Sequence, residues 1–199
     1  MRTLSLAEAR LEASLDRLVT AVLAAQHDAD LQRRRAVLEH AILRSQDLWG
    51  RFWREACLLS ATGAARDAAG QKVARAPGCR TFQIAHTKIR AYYRKLNHPN
   101  PHWEPDWHKP AVVAEITRLL QSSNANTLSS AVSAQQNPYQ ELRLVRNYIA
   151  HMGASAARDA YSVSGGSAPH EYILQPVRGV TRFEEWVGRM KLVASAAVI

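Results

Sequence analysis

The sequence lacks most of the features that fix a function class at a glance. It holds two cysteines, Cys57 and Cys79, too few for a disulfide scaffold. Neither belongs to a C-x-x-C pair, which excludes a zinc finger. No apolar run reaches the roughly 18 residues of a membrane span. The opening residues, Met1-Arg2-Thr3-Leu4-Ser5, lack the apolar stretch of a secretory signal, so a cytoplasmic protein is expected. There is no P-loop, no G-x-G-x-x-G and no G-x-S-x-G, so nucleotide hydrolysis and nucleophile-elbow chemistry have no support. Acidic residues are scarce: 17 Asp and Glu face 26 Lys and Arg, a net charge of +9. Hydrophobic residues make up 47% of the 199 positions, enough for a buried core.

The basic excess is concentrated. Residues 61–110 hold nine basic and three acidic side chains, a net of +6, or two thirds of the whole excess. Lys72, Arg75, Arg80, Lys88, Arg90, Arg94 and Lys95 supply most of it, with Tyr92 and Tyr93 interleaved. Cations displace counterions from phosphates, and Tyr rings can stack on bases. Lys88, Arg90, Arg94 and Lys95 are therefore candidate RNA contacts. The plainer alternative is a solvated helix face with the Tyr rings in the core.

The hydrophobic pattern is helical almost throughout. Ser5 and Glu8 form a capping box that opens a helix to about Ala25. Asp28 or Asp30 caps a long second helix running to about Thr62, with Gly63 as its stop. Residues 63–80 read as a loop, and a third helix runs from about Thr81 to Leu96. Four prolines exclude a regular element over 97–110, where Trp103 and Trp107 are expected to pin the loop to the core. A fourth helix has Pro110 in its first turn and ends near Ser122, and a short fifth follows Asn126. Asn137 caps a sixth helix with Pro138 at its first position, running to Met152 and stopped by Gly153. Residues 154–180, rich in Ser, Gly and Ala, read as loose. Thr181 and Glu184 form a capping box for a last helix to about Ala197. The expected architecture is a single all-α domain over residues 1–199: an up-and-down helical bundle with a core at about 5–155, then a loop and a C-terminal extra helix over 156–199.

The sixth helix carries the most distinctive chemistry. At about 100° per residue, Leu142, Val145, Ile149 and Met152 share one apolar arc. Arg146, Arg143, Asn147 and His151 form a polar, basic stripe beside it, flanked by the small residues Ala150 and Ala154. A second copy of the helix could approach closely there. An Arg followed by four residues and a His also occurs at Arg35–His40, and Arg80–His86 has five between. Arg146 is singled out by Asn147 directly after it, by Ala150 before His151, and by the bracketing Asn137-Pro138 and Gly153.

The run Arg146-Asn147-Tyr148-Ile149-Ala150-His151 resembles the signature of the HEPN family, the higher eukaryotes and prokaryotes nucleotide-binding domains. Trp49-Gly50-Arg51-Phe52-Trp53-Arg54, Pro101-His102-Trp103 and Asn137-Pro138 add a likeness to stand-alone bacterial members. The resemblance implies a HEPN-type endoribonuclease that needs no metal or other cofactor. By the same resemblance it would act as a toxin or antiviral defence effector, work as a homodimer, and be held by an antitoxin or defence-system partner. His151 would transfer protons, Arg146 would hold the scissile phosphate, Asn147 would bind phosphate or orient His151, and Arg143 would be a secondary RNA anchor. The alternative is a non-catalytic HEPN-like module that binds RNA or a partner protein. One family subtype has a Tyr two residues after the His as a modification target; Gly153 stands there, so this regulation is not carried over.

His98, His102, Asp106 and His108 invite a metal reading, but their spacing matches no known ligand pattern and polar loop contacts are expected instead. Cys57 is expected in the core and Cys79 on the surface, neither as a nucleophile.

Overall fold

The computed structural model describes residues 3–67, 69–95, 104–134, 138–151 and 153–198. Over these the protein is all-α, as the periodicity requires, apart from one small hairpin. Its helices are α1 (Leu4–Gln26), α2 (Leu31–Thr62), α3 (Phe82–Lys95), α4 (Pro110–Leu120), α5 (Ala125–Val132), α6 (Tyr139–His151), α7 (Ala154–Ser164), α8 (Pro169–Tyr172) and α9 (Arg182–Val198). The strands β1 (Pro176–Val177) and β2 (Val180–Thr181) pair antiparallel, Pro176 with Thr181 and Val177 with Val180. Among the described residues no helix is long and apolar enough to cross a membrane.

The helix boundaries follow from local chemistry. Asp30 caps α2: its Oδ1 accepts from the amides of Gln32 at 3.0 Å and Arg33 at 3.1 Å. Gly63 ends that helix at φ 65, and the Ala64 amide turns back to the Leu59 carbonyl at 3.1 Å. The box at α9 is reciprocal. The Thr181 amide donates to Glu184 Oε2 at 2.7 Å, and the Glu184 amide donates to Thr181 Oγ1 at 3.2 Å. At α1 the cap is Thr3 rather than Ser5, since Thr3 Oγ1 takes the Leu6 amide at 3.0 Å. Ser5 lies inside the helix.

Residues 154–180 depart most from expectation. They hold α7, α8 and the hairpin instead of a loose loop before the last helix. Ala has the highest helix propensity, and Ala154, Ala156, Ala157 and Ala160 outweigh the serines of α7. Gly165 at φ 61 then stops the helix. Arg178 and Gly179 both take positive φ, which suits a tight two-residue hairpin turn.

Chain contacts gather into two compact units. Unit one comprises Met1–Arg10, Gly50–Gln135 and Leu192–Ile199; unit two comprises Leu11–Trp49 and Gln136–Lys191. In unit one, Phe52, Trp53, Leu59, Ile89, Ile116, Leu120 and Leu128 are buried. Each such side chain contributes about 1.5–3 kcal/mol through burial. The 63–80 segment packs closely on this core. Ala65, Val73, Ala76 and Cys79 are buried, and the Ala76 amide donates to the Ala61 carbonyl at 2.9 Å. Cys79 is therefore a core residue and not the exposed thiol expected from its basic loop. Cys57 is in the core as expected.

The described part of the proline-rich segment is held by Glu104. Its Oε1 accepts from Arg54 Nε and Trp107 Nε1, each at 2.8 Å, and its Oε2 lies 2.7 Å from His86 Nε2. Trp107 is buried, as a pinning residue should be. Trp103, His98 and His102 lie outside the described residues.

In unit two, Leu15, Leu38, Ile42, Leu142, Val145, Phe183 and Trp186 are buried. Glu141 of α6 is fixed by α9: it accepts from Trp186 Nε1 at 3.0 Å and lies 3.7 Å from Arg182 and 3.9 Å from Arg189.

Candidate functional site

The apolar arc of α6 is buried as its periodicity demands: Tyr139, Leu142, Val145 and Ile149 face the core of unit two. Met152 and Asn137 fall outside the described residues. Pro138 immediately precedes the helix, and its carbonyl accepts the Leu142 amide at 3.1 Å. With Glu141 tied to α9, the opposite flank of α6 carries the polar stripe. Arg143, Asn147 and His151 stand four residues apart, so they line one row along the helix. Arg143 and Asn147 are half-buried and His151 is exposed.

Arg146 lies between this row and the core, also half-buried. It is offset from Asn147 by about 100° around the axis. Its long side chain nevertheless reaches across: Arg146 Nη1 lies 3.5 Å from Asn147 Oδ1, at the long end of the hydrogen-bond range. Five residues separate Arg146 from His151, a rise of about 7.5 Å along the helix. The structure thus brings Arg146 and Asn147 together, while His151 follows Asn147 one turn further along the same row and is joined to neither by a hydrogen bond among the described residues. Among the described residues no carboxylate pairs with Arg143 or Arg146, and His151 has no hydrogen-bond partner. Neither guanidinium charge is compensated among the described residues, which suits an anionic ligand.

Residues around α6 contribute further titratable groups to unit two. Tyr148 meets Tyr161 of α7 edge-on, with ring centroids 6.0 Å apart. Arg35 is raised above its ordinary value, first by its hydrogen bond to Glu39 and least by the Tyr148 phenol. His170 is lowered, chiefly by burial and then by the Arg35 charge, so its neutral form is favoured.

The candidate RNA contacts Lys88, Arg90 and Arg94 lie on α3 in unit one. Arg94 is exposed, while Lys88 and Arg90 are half-buried. Arg90 Nε is buried, with no hydrogen-bond partner among the described residues. Lys95 ends α3, and its side chain lies outside the described residues. Tyr92 and Tyr93 do not offer free rings beside these cations. Both hydroxyls donate to Glu115 of α4 at 2.7 Å, and Tyr93 is buried. Burial, followed by that hydrogen bond, raises the Tyr93 hydroxyl well above its usual value.

Of the four residues of the metal reading, Asp106 and His108 are described. Asp106 forms an ion pair with Lys109. Among the described residues no three His, Cys, Asp or Glu side chains gather as a metal site.

Sequence reasoning missed the Glu104 network. The Arg54–Glu104 and His86–Glu104 pairs span 50 and 18 residues, and no local pattern announces contacts at those separations.

Comparison with family models, with curated proteins and with solved structures finds no match for the chain. The class of the protein therefore rests on its own helices and side chains.

Proposed function

We propose that the protein is a metal-independent endoribonuclease of the HEPN type, with Arg146, Asn147 and His151 as its reacting site. The reading is supported by one observation above the others: Arg146 and Asn147 lie together with no compensating carboxylate among the described residues, on the helix that ends in the exposed His151. A guanidinium in that state is a phosphate receptor, since two parallel N–H groups match two phosphate oxygens.

The reaction needs no external nucleophile. The ribose 2′-hydroxyl attacks the adjacent phosphorus, and the new P–O bond forms as the bond to the 5′-oxygen breaks. One imidazole removes the 2′-proton and one protonates the leaving oxygen, work suited to a side chain that titrates near neutrality. Arg146 offsets the charge gained by the equatorial oxygens in the transition state, and Asn147 holds the phosphate or the Arg146 plane. Each α6 supplies a single histidine, so the acid and the base come from two copies of the helix in a homodimer. The cytoplasmic setting and the toxin or defence role, with an antitoxin or defence-system partner as restraint, belong to the same reading. The toxin or defence role rests on the resemblance of the Arg146–His151 run to the HEPN signature, and the cytoplasmic setting on the composition of the chain and its opening residues.

The product ends test this chemistry. Incubation of RNA with the protein in EDTA is expected to yield a 2′,3′-cyclic phosphate and a 5′-hydroxyl. A 2′-O-methyl group at the cleavage site is expected to block the cut. Products with a 5′-phosphate, or cleavage beside a 2′-O-methyl ribose, would overturn the mechanism.

A further inference from the structure

The exposed face of unit one around Phe82 holds an aromatic ring between two sets of cations. Phe82 is the first residue of α3, and 39% of it is open to solvent. It lines two adjoining depressions. The first is bounded by Arg51, Arg54, Gln83 and His86. The second has an apolar floor, including Leu59 and Ala65, with Arg66 and Lys72 at its rim. Three of these polar groups are held in place: Glu104 fixes Arg54 and His86, and Arg66 Nη1 donates to the Gly70 carbonyl at 2.6 Å. Arg51 and Lys72 have no carboxylate partner among the described residues. Glu55, the carboxylate that lines the first depression, lies 3.6 Å from Arg10 and is offset by it. The first turn of α3 contains no acidic residue, so the positive end of its dipole adds to the field where Phe82 and Gln83 sit.

We infer that this groove binds single-stranded nucleic acid, with one base stacked on Phe82 and the flanking phosphates met by Arg51 on one side and Lys72 on the other. Each part of the arrangement has its counterpart in the ligand. A solvent-exposed aromatic ring accepts any base, because every base has a π face. Cations on both sides of the ring follow a backbone that continues past the stacked base. A duplex keeps its bases stacked on one another and offers none to Phe82. A mononucleotide would engage the ring and one cation set only. The groove is a different site from the α6 motif and does not depend on cleavage occurring there.

Binding is tested with a fluorescent 2′-O-methyl oligoribonucleotide of about 12 nucleotides, within the span that single-strand grooves cover. This probe cannot be cut by 2′-hydroxyl attack, so binding is read separately from any nuclease activity. Fluorescence anisotropy is expected to show Phe82→Ala weakening binding by about 5- to 100-fold, the loss of one stacked base, with Phe82→Trp restoring it. Arg51→Gln and Lys72→Gln are each expected to make the slope of log affinity against log salt shallower by about 0.7, and Phe82→Ala to leave that slope unchanged. Phe82 and Lys72 are both exposed, so loss of fold does not confound their variants. Undiminished binding by Phe82→Ala, unchanged salt slopes for both cation variants, or tighter binding of a duplex or a mononucleotide than of the single strand would overturn the inference.

Discussion

Glu104 Oε2 lies 2.7 Å from His86 Nε2, and the other oxygen of the same carboxylate receives both Arg54 and Trp107. One side chain from the proline-rich segment thereby ties α2 and α3 together in unit one. Burial pushes the Glu104 carboxyl up, but the hydrogen bonds from Arg54, Trp107 and His86 outweigh it and hold the group below the usual glutamate value. A carboxyl held low in the folded state stabilises above the ordinary glutamate range and loses that contribution as pH falls through the folded value. Glu104→Gln is expected to cost about 1 kcal/mol near neutral pH, since solvent screens a partly exposed pair. Urea denaturation is expected to show this difference shrinking on acidification. A difference that grows instead would contradict the network.

The cap of α9 gives a cleaner energetic test. Thr181 and Glu184 satisfy each other's first-turn amides, so Thr181→Ala is expected to destabilise the fold by about 1 kcal/mol. Thr181→Ser is expected to retain most of that. Thermal unfolding of the two variants side by side checks it.

Gly63 is required by geometry as well as by position. Its φ is 65, and a Cβ added there would stand 2.9 Å from Arg75 Cβ. Gly63→Ala is expected to destabilise by more than about 1 kcal/mol, because the left-handed backbone and the close approach act together. Gly70→Ala, at φ 76 with open space around it, is expected to cost less. Denaturant midpoints of the pair separate strain from crowding.

Both thiols are buried, and burial raises Cys57 to about 12. Neither is expected to react with a thiol reagent at neutral pH faster than the chain unfolds. Stopped-flow labelling in native buffer and in denaturant checks this. Rapid native labelling of Cys79 would show that the 63–80 segment does not pack as described.

The sequence reveals most where one residue decides the outcome locally. Asp30, Gly63 and the Thr181–Glu184 box mark helix ends correctly, because a cap or a positive φ is a short-range requirement. The apolar arc of α6 is equally legible, since Leu142, Val145 and Ile149 recur at helical spacing. The composition of 154–180 misleads, because serine and glycine around α7 mask its alanines, and strands of two residues are too short to show alternation. Thr3 wins over Ser5 at α1 for a different reason: either residue can cap, and only the three-dimensional start of the helix selects one. For the candidate site, the helix face is readable but the reach of Arg146 to Asn147 is a rotamer choice. Cys79 and the Tyr92–Tyr93 pair show the limit most clearly. The burial of Cys79 and Tyr93, and the hold of both tyrosines on Glu115, depend on contacts outside the local pattern.

The central claim is that His151 moves protons during RNA cleavage, with Arg146 holding the phosphate. Single-turnover cleavage of a labelled RNA in EDTA tests it most directly. Wild-type protein is expected to cut, and His151→Ala is expected to be slower by about 10²–10⁴-fold at unchanged fold. Arg146→Ala is expected to lose at least about 10²-fold. Wild-type protein that leaves RNA intact both alone and with its genomic neighbours, or a His151→Ala variant that cuts at the wild-type rate, would contradict the account.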